Sequence, residues 1–190
     1  MECSADRAPA GATPEDLRRY DALLACLRAA GSAVVAFSGG VDSAFLLYAA
    51  REALGDRVLA VTATSPTYPR AEREEAVRLA AGWGVRHRLV ESDELKIPGF
   101  SQNPPDRCYH CKKELFGILA AIAREEGYAA VCDGSNADDT RDFRPGRRAA
   151  RELAVRSPLL ENGLYKDAIR RLSRTFGLPT ADRGSFACLS

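Results

Sequence analysis

No apolar run in this 190-residue chain reaches the roughly 18 residues that a membrane-spanning helix needs. The first fifteen residues carry Asp, Glu and Pro where an export leader would be basic and then apolar. Both absences argue for a cytoplasmic protein with no membrane partner. Net charge is nearly missing as well. With 27 Lys and Arg against 26 Asp and Glu, the formal charge is +1. That leaves no bulk field to hold a polyanion, which argues against nucleic acid as a partner. Cys108 and Cys111 form a CxxC without a second one, so a four-cysteine zinc ribbon is only half made. Internal repeats and low-complexity tracts are absent too.

What is present suits one soluble domain: 46% of the residues are hydrophobic and 28% charged, enough for a full α/β core. "TPEDLRRYDALLACLRAAG" reads as an amphipathic helix, with Thr13 as N-cap, Pro14 at the first helical position and Leu17, Tyr20, Leu24 and Leu27 on one face. Strand-like runs over 33–37, 57–63, 86–92 and 129–133 then alternate with helical patterns that include 70–84 and 109–127, and a last amphipathic helix begins near Tyr165. The fold class expected from this rhythm is α/β, a doubly wound parallel sheet with helices on both faces. Residues 1–12 are expected to form a flexible terminus ahead of a single domain over 13–190. Two polar segments, 92–108 and 134–148, break the rhythm at strand ends, where open α/β folds place their ligands.

Six cysteines without an export signal read as thiols or metal ligands. Cys26 on a helical stripe and Cys132 in a strand suit packing, and Cys3 belongs to the terminus. Cys108, Cys111 and Cys188 remain to be explained.

"AFSGGVDSAFLL" sets Ser38, Gly39, Gly40 and Ser43 between a buried strand and a helix N-terminus. Glycines let the backbone approach an anion, free helix N–H groups carry partial positive charge, and the hydroxyls add donors. No Lys follows the glycines, so this is not a Walker A loop. Asp42 would repel phosphates unless Mg²⁺ lay between them, which favours a metal-nucleotide. The bland reading is a tight turn with a serine cap.

The string SGGVDS after an apolar strand resembles the pyrophosphate loop of the PP-loop ATP pyrophosphatases. That resemblance implies ATP binding and transfer of AMP to a substrate oxygen. "VTATSPTYPRAEREEA", "NPPDRCYHCKKELF", "DGSNADDTRDFRPGRRA", "ELAVRSPL" and "GLPTADRGSFACLS" together resemble the LarE-type sulfur transferases of this superfamily. The likeness runs from about residue 17 to the end. It implies a pyridinium dicarboxylate mononucleotide as small-molecule substrate, its carboxylate adenylated and then converted to a thiocarboxylate for a nickel-pincer cofactor. It further implies ATP contacts at Ser38, Gly39, Gly40, Asp42 and Ser43, with Thr62 and Ala63 near the adenosine. Asp133, Gly134, Asn136 and Asp138 fall where substrate or metal could be held, Asn136 on the substrate side and Asp138 with Asp42 on the magnesium side. Arg144 and Arg151 could steer a phosphate or carboxylate. Cys188 is the catalytic cysteine by the same resemblance. With Cys108 and Cys111 it would hold a [4Fe-4S] cluster with one open iron. A small C-terminal domain beyond residue 190 and a homo-oligomer at full length are also implied.

Alternatives stay open at the cysteines: a redox dithiol, zinc with a fourth ligand, or a sacrificial Cys188. A PP-loop tRNA thiolase is the rival enzyme, with Arg147, Arg148, Arg151, Arg170, Arg171 and Arg174 as a conceivable RNA strip. A non-catalytic ATP-binding redox module is the rival outside enzymes, and an ammonia-using synthetase lacks a visible glutamine-hydrolysing domain.

Overall fold

The computed structural model describes residues 11–64, 69–92, 107–140 and 146–183. Within them, four parallel strands form one sheet: β1 (Ala33–Ala36), β2 (Val58–Thr64), β3 (Arg86–Glu91) and β4 (Ala130–Cys132), in the order β3-β2-β1-β4. β1 pairs with β2 from Ala33↔Val58 and with β4 from Ala33↔Ala130. Parallel neighbours need crossover connections, and helices supply them. These helices are α1 (Pro14–Ala30), α2 (Val41–Leu54), α3 (Arg70–Gly82), α4 (Arg107–Glu126), α5 (Gly146–Glu152), α6 (Pro158–Glu161) and α7 (Lys166–Thr175).

Strand alternation divides the core into two layers, because successive side chains point to opposite faces. Ala33, Val35, Val58 and Ala60 pack with Leu23, Leu27, Phe45, Leu46, Ile169 and Leu172 from α1, α2 and α7, and with Ala76 from α3. Val34, Leu59, Val61 and Val131 pack on the other side with Phe116, Leu119 and Ile122 of α4 and Ala149 and Ala150 of α5. Helices therefore cover both faces.

Strand order reverses at β1, between β2 on one side and β4 on the other, and open α/β sheets bind ligands outside such a reversal. The chain also passes β4 again, where Arg156 bridges Cys132 in parallel. No helix among the described residues is long and apolar enough to cross a membrane.

The first helix starts as its sequence indicates: Thr13 and Asp16 form a reciprocal capping box and Pro14 occupies the first turn. One residue of its expected stripe differs. Leu17 is 43% exposed and Leu23 is fully buried in its place, because the contact stripe rotates toward α2. Cys26 is half-buried and bonded to the Arg156 guanidinium at 3.2 Å, not packed in a greasy stripe. The polar segment 134–148 contains the start of α5, and α6 follows; both are short helices that periodicity over a few residues cannot reveal. The expected flexible terminus lies, up to residue 10, outside the described residues.

Candidate functional site

At the reversal, the chain leaves β1 through Phe37 and turns at Gly39, whose φ of +77° is a left-handed conformation. Gly40 then caps α2 without any side-chain hydrogen bond, so the first amides of α2 point into the crevice. The serines close on each other: their hydroxyls lie 3.0 Å apart, the Ser38 N–H donates to Ser43 Oγ at 3.3 Å, and Ser43 Oγ donates to the Gly40 carbonyl at 3.1 Å. These donors can turn outward to an anion without breaking the helix. The loop after β4 forms the opposite wall. A Cβ on Gly134 would stand 3.0 Å from the Ser43 nitrogen, so only glycine allows this approach.

Asp42, on the first turn of α2, faces Lys166, the first residue of α7. Lys166 Nζ donates to Asp42 Oδ2 at 2.6 Å, and its backbone N–H donates to Asp138 Oδ2 at 2.8 Å. Asp42 Oδ1 is buried and has no partner among the described residues. Burial pushes the Asp42 carboxyl above its ordinary value, against the pull of Lys166 and then Asn136, with Asp139 adding repulsion. Asn136 is buried and its Oδ1 accepts the Asp138 N–H at 2.9 Å. Asp42 and Asp138, named separately by the sequence, are thus joined through one lysine that the sequence reading missed, and Asn136 is bonded to Asp138. A cation at a helix N-terminus opposes the helix dipole, and that misfit is the signal that could have found it. Arg183 was missed too. It donates to the Gly39 carbonyl at 2.9 Å and pairs with Glu75 of α3 at 2.8 Å, tying the chain beyond α7 to the loop.

Asp133 ends β4 with its carboxylate held by the Ser135 and Ser157 hydroxyls, each at 2.7 Å. Lys112 approaches it to 4.0 Å from the first turns of α4. Cys108 and Cys111 belong to the same helix start, Cys108 exposed and Cys111 half-buried. Tyr109 between them inserts toward α5, donating to Glu152 at 2.7 Å beneath the Arg148 guanidinium at 3.8 Å. The CxxC turn is therefore anchored beside the crevice. Arg151 is exposed on α5. Cys188 and Arg144 lie outside the described residues. Among the described residues no three His, Cys, Asp or Glu side chains group as a metal site.

Thr62 is buried, and its hydroxyl donates to the Phe37 carbonyl at 2.5 Å and meets His87 Nε2 at 2.8 Å, so its side chain faces inward; Ala63 is half-buried at the strand end. Of the arginines of the conceivable RNA strip, three are engaged within the chain: Arg171 with Asp16, Arg174 with Asp182, and Arg170 with the carbonyls of Ala181 and Arg183.

Residues 32–102 match the model of a family described as queuosine biosynthesis protein QueC. The chain is also 38% identical over 157 residues to the pyridinium-3,5-bisthiocarboxylic acid mononucleotide synthase of Lactiplantibacillus plantarum, a match covering 82% of this chain and 57% of that protein. This chain belongs to the LarE-type synthase family. The chain is also 43% identical over 158 residues to the uncharacterized Synechocystis protein slr1717, a match covering 83% of this chain and 59% of that protein. The chain thus spans less than two thirds of the length of either relative. In fold, this LarE-type chain is similar to an NMN synthetase from Francisella tularensis, with a TM-score of 0.70 at 18% identity over 88% of this chain and 74% of that one. The parallel sheet is the PP-loop α/β fold.

Proposed function

We propose that this chain supplies the nucleotide-activating site of a cytoplasmic, ATP-dependent sulfur transferase. It adenylates a carboxylate of a pyridinium dicarboxylate mononucleotide and converts it to a thiocarboxylate destined for a nickel-pincer cofactor. The observation that carries this reading is the crevice at the strand reversal, where loop amides, two serines and a buried, half-partnered Asp42 converge.

Ser38, Gly39, Gly40, Ser43 and the first amides of α2 hold the β and γ phosphates, as a helix N-terminus holds anions. The orphaned Asp42 Oδ1 suits Mg²⁺, an oxygen-seeking ion, with Asp138 nearby. Magnesium held there would neutralise phosphate charge. The substrate carboxylate attacks the α-phosphorus and the bond to pyrophosphate breaks. Charge growing on the leaving group falls on the loop donors, and Lys166 stands one side chain away to share it. A sulfur nucleophile then adds to the acyl carbon and AMP departs. Arg144 and Arg151 serve the substrate's anionic groups, with Asn136 lining the crevice.

Cys188 is assigned to the sulfur step. Cys108 and Cys111 offer two soft ligands one turn apart on α4, a donor set that fits an iron-sulfur cluster completed by Cys188. When bound, such a cluster supplies an iron able to carry exchangeable sulfide.

The test is to purify the protein without oxygen, reconstitute it with iron and sulfide, add ATP, Mg²⁺ and the pyridinium dicarboxylate nucleotide, and weigh protein and product by mass spectrometry. Thiolated product with an unchanged polypeptide is expected. Product accompanied by conversion of Cys188 to dehydroalanine moves the sulfur source to that residue and leaves the CxxC without its role. Failure to release pyrophosphate or form product overturns the assignment.

A further inference from the structure

Thr62 has one hydroxyl proton, and two polar neighbours share its oxygen. The Phe37 carbonyl, 2.5 Å away, can only accept, so the proton lies there. With that proton committed, the oxygen can only accept from His87 Nε2 at 2.8 Å, which must therefore donate. The imidazole is half-buried on β3, where burial pushes it below the ordinary histidine value, and its ring stands nearly perpendicular to that of Phe37, 6.0 Å away between centroids. This chain of two hydrogen bonds runs from an outer strand of the described sheet to the last residue before the phosphate loop. The function proposed above makes no use of it.

Its end point is what matters. The Phe37 carbonyl and the Ser38 N–H belong to one planar peptide and point in opposite directions. Holding the carbonyl toward Thr62 aims the Ser38 N–H away from β2, and that N–H reaches Ser43 Oγ inside the anion cradle. The Phe37 N–H is fixed as well, on the Val61 carbonyl at 2.8 Å. Beyond this peptide, Gly39 takes the left-handed conformation that turns the loop into α2.

We propose that His87 is a positioning residue for the phosphate loop: its Nε2–H secures the Thr62 hydroxyl on the Phe37 carbonyl and so orients the peptide that presents Ser38 to phosphate. The Thr62 side chain is then a tether for the loop. The inference rests on the reading of this loop as an ATP site, and two readouts keep the two claims apart.

The first readout needs no ligand. In the ¹⁵N spectrum of the whole protein above neutral pH, the His87 ring carries its proton on Nε2 and none on Nδ1; the opposite tautomer overturns the proposal. In the same experiment the Ser38 amide exchanges faster in His87→Leu than in the parent, and equal exchange counts against the tether. The second readout is Mg²⁺–ATP affinity by calorimetry. His87→Leu and Thr62→Val are each expected to bind about five- to tenfold more weakly, the effect of losing about one buried hydrogen bond. His87→Gln offers an amide N–H to the same hydroxyl and returns affinity to within about twofold of the parent. Parent-like affinity in both His87→Leu and Thr62→Val refutes the role, as does His87→Gln behaving like His87→Leu. Should the parent itself bind no ATP, the loop assignment fails, and the tautomer and exchange results still decide the tether.

Discussion

A lysine at the first position of a helix sets its charge against the helix dipole, and Lys166 holds that place through Asp42 and Asp138. The pairing decides what its loss does. Lys166→Met leaves the Asp42 carboxylate buried beside Asn136 with no cation, and a cost of about 1–3 kcal/mol is expected in urea unfolding at pH 7. Burial already raises the Asp42 value in the folded state. Its contribution to stability is therefore present below the unfolded carboxyl value and fades as pH rises through the higher folded one. Without the ammonium the folded value climbs further, so the deficit of Lys166→Met should shrink toward pH 4 and deepen toward neutrality. A deficit that ignores pH, or persists in Asp42→Asn/Lys166→Met, sinks this account. Residues such as Ser38 and Gly39 were legible in the sequence because their chemistry is local, packed into six consecutive letters. Lys166 and Arg183 were not, since their partners lie 124 and 144 positions away and only the fold joins them.

Between elements, a two-pronged ion pair joins α1 to α7. Arg171 grips both oxygens of buried Asp16, at 2.8 and 2.9 Å, while the Thr13 N–H donates to the same carboxylate. Arg171 above all, then Thr13, holds the Asp16 carboxyl down at about 2 despite its burial. A depressed folded value means that the stabilisation is full above the unfolded carboxyl value and is lost as pH falls from about 4 to about 2. Asp16→Asn should cost about 2 kcal/mol at neutral pH and flatten the acid limb of the stability curve over that window. An acid limb identical to the parent's would remove Asp16 from its cause. The sequence showed Asp16 only as half of a capping box; its second duty depends on α7 lying alongside, which no local pattern encodes. Gly134 poses a similar element-scale test. Its missing Cβ lets the loop after β4 touch the backbone of α2, 3.0 Å from the Ser43 nitrogen. Gly134→Ala should lower stability by about 1–3 kcal/mol and weaken ATP binding, because backbone cannot give way as a side chain can. Unchanged thermal unfolding and affinity would show that the wall is softer than its geometry implies.

For the molecule as a whole, the apolar runs of β1, β2 and β4 made the parallel sheet legible, because strands buried on both faces need near-continuous apolar letters, whereas β3 is polar and largely exposed. The order β3-β2-β1-β4, and with it the crevice, was not legible, since strand sequence says nothing of which neighbour each strand chooses. That order has a measurable consequence. The site draws on β1, α2, the loop after β4 and α7, so a ligand there should stabilise the domain and not one segment. At about a hundred times its dissociation constant, Mg²⁺–ATP should add about 2.7 kcal/mol, a rise of about 5–10 °C in Tm for a chain of this size. Asp42 makes the gain depend on the metal. With chelator present, its carboxylate faces phosphate with only Lys166 between them, and the rise in Tm should collapse to a small fraction. In Asp42→Asn the repulsion is gone, so ATP alone should stabilise nearly as well as ATP with Mg²⁺. If the parent gains as much from ATP with chelator as with magnesium, Asp42 is not the metal ligand, and Lys166 alone balances the phosphates.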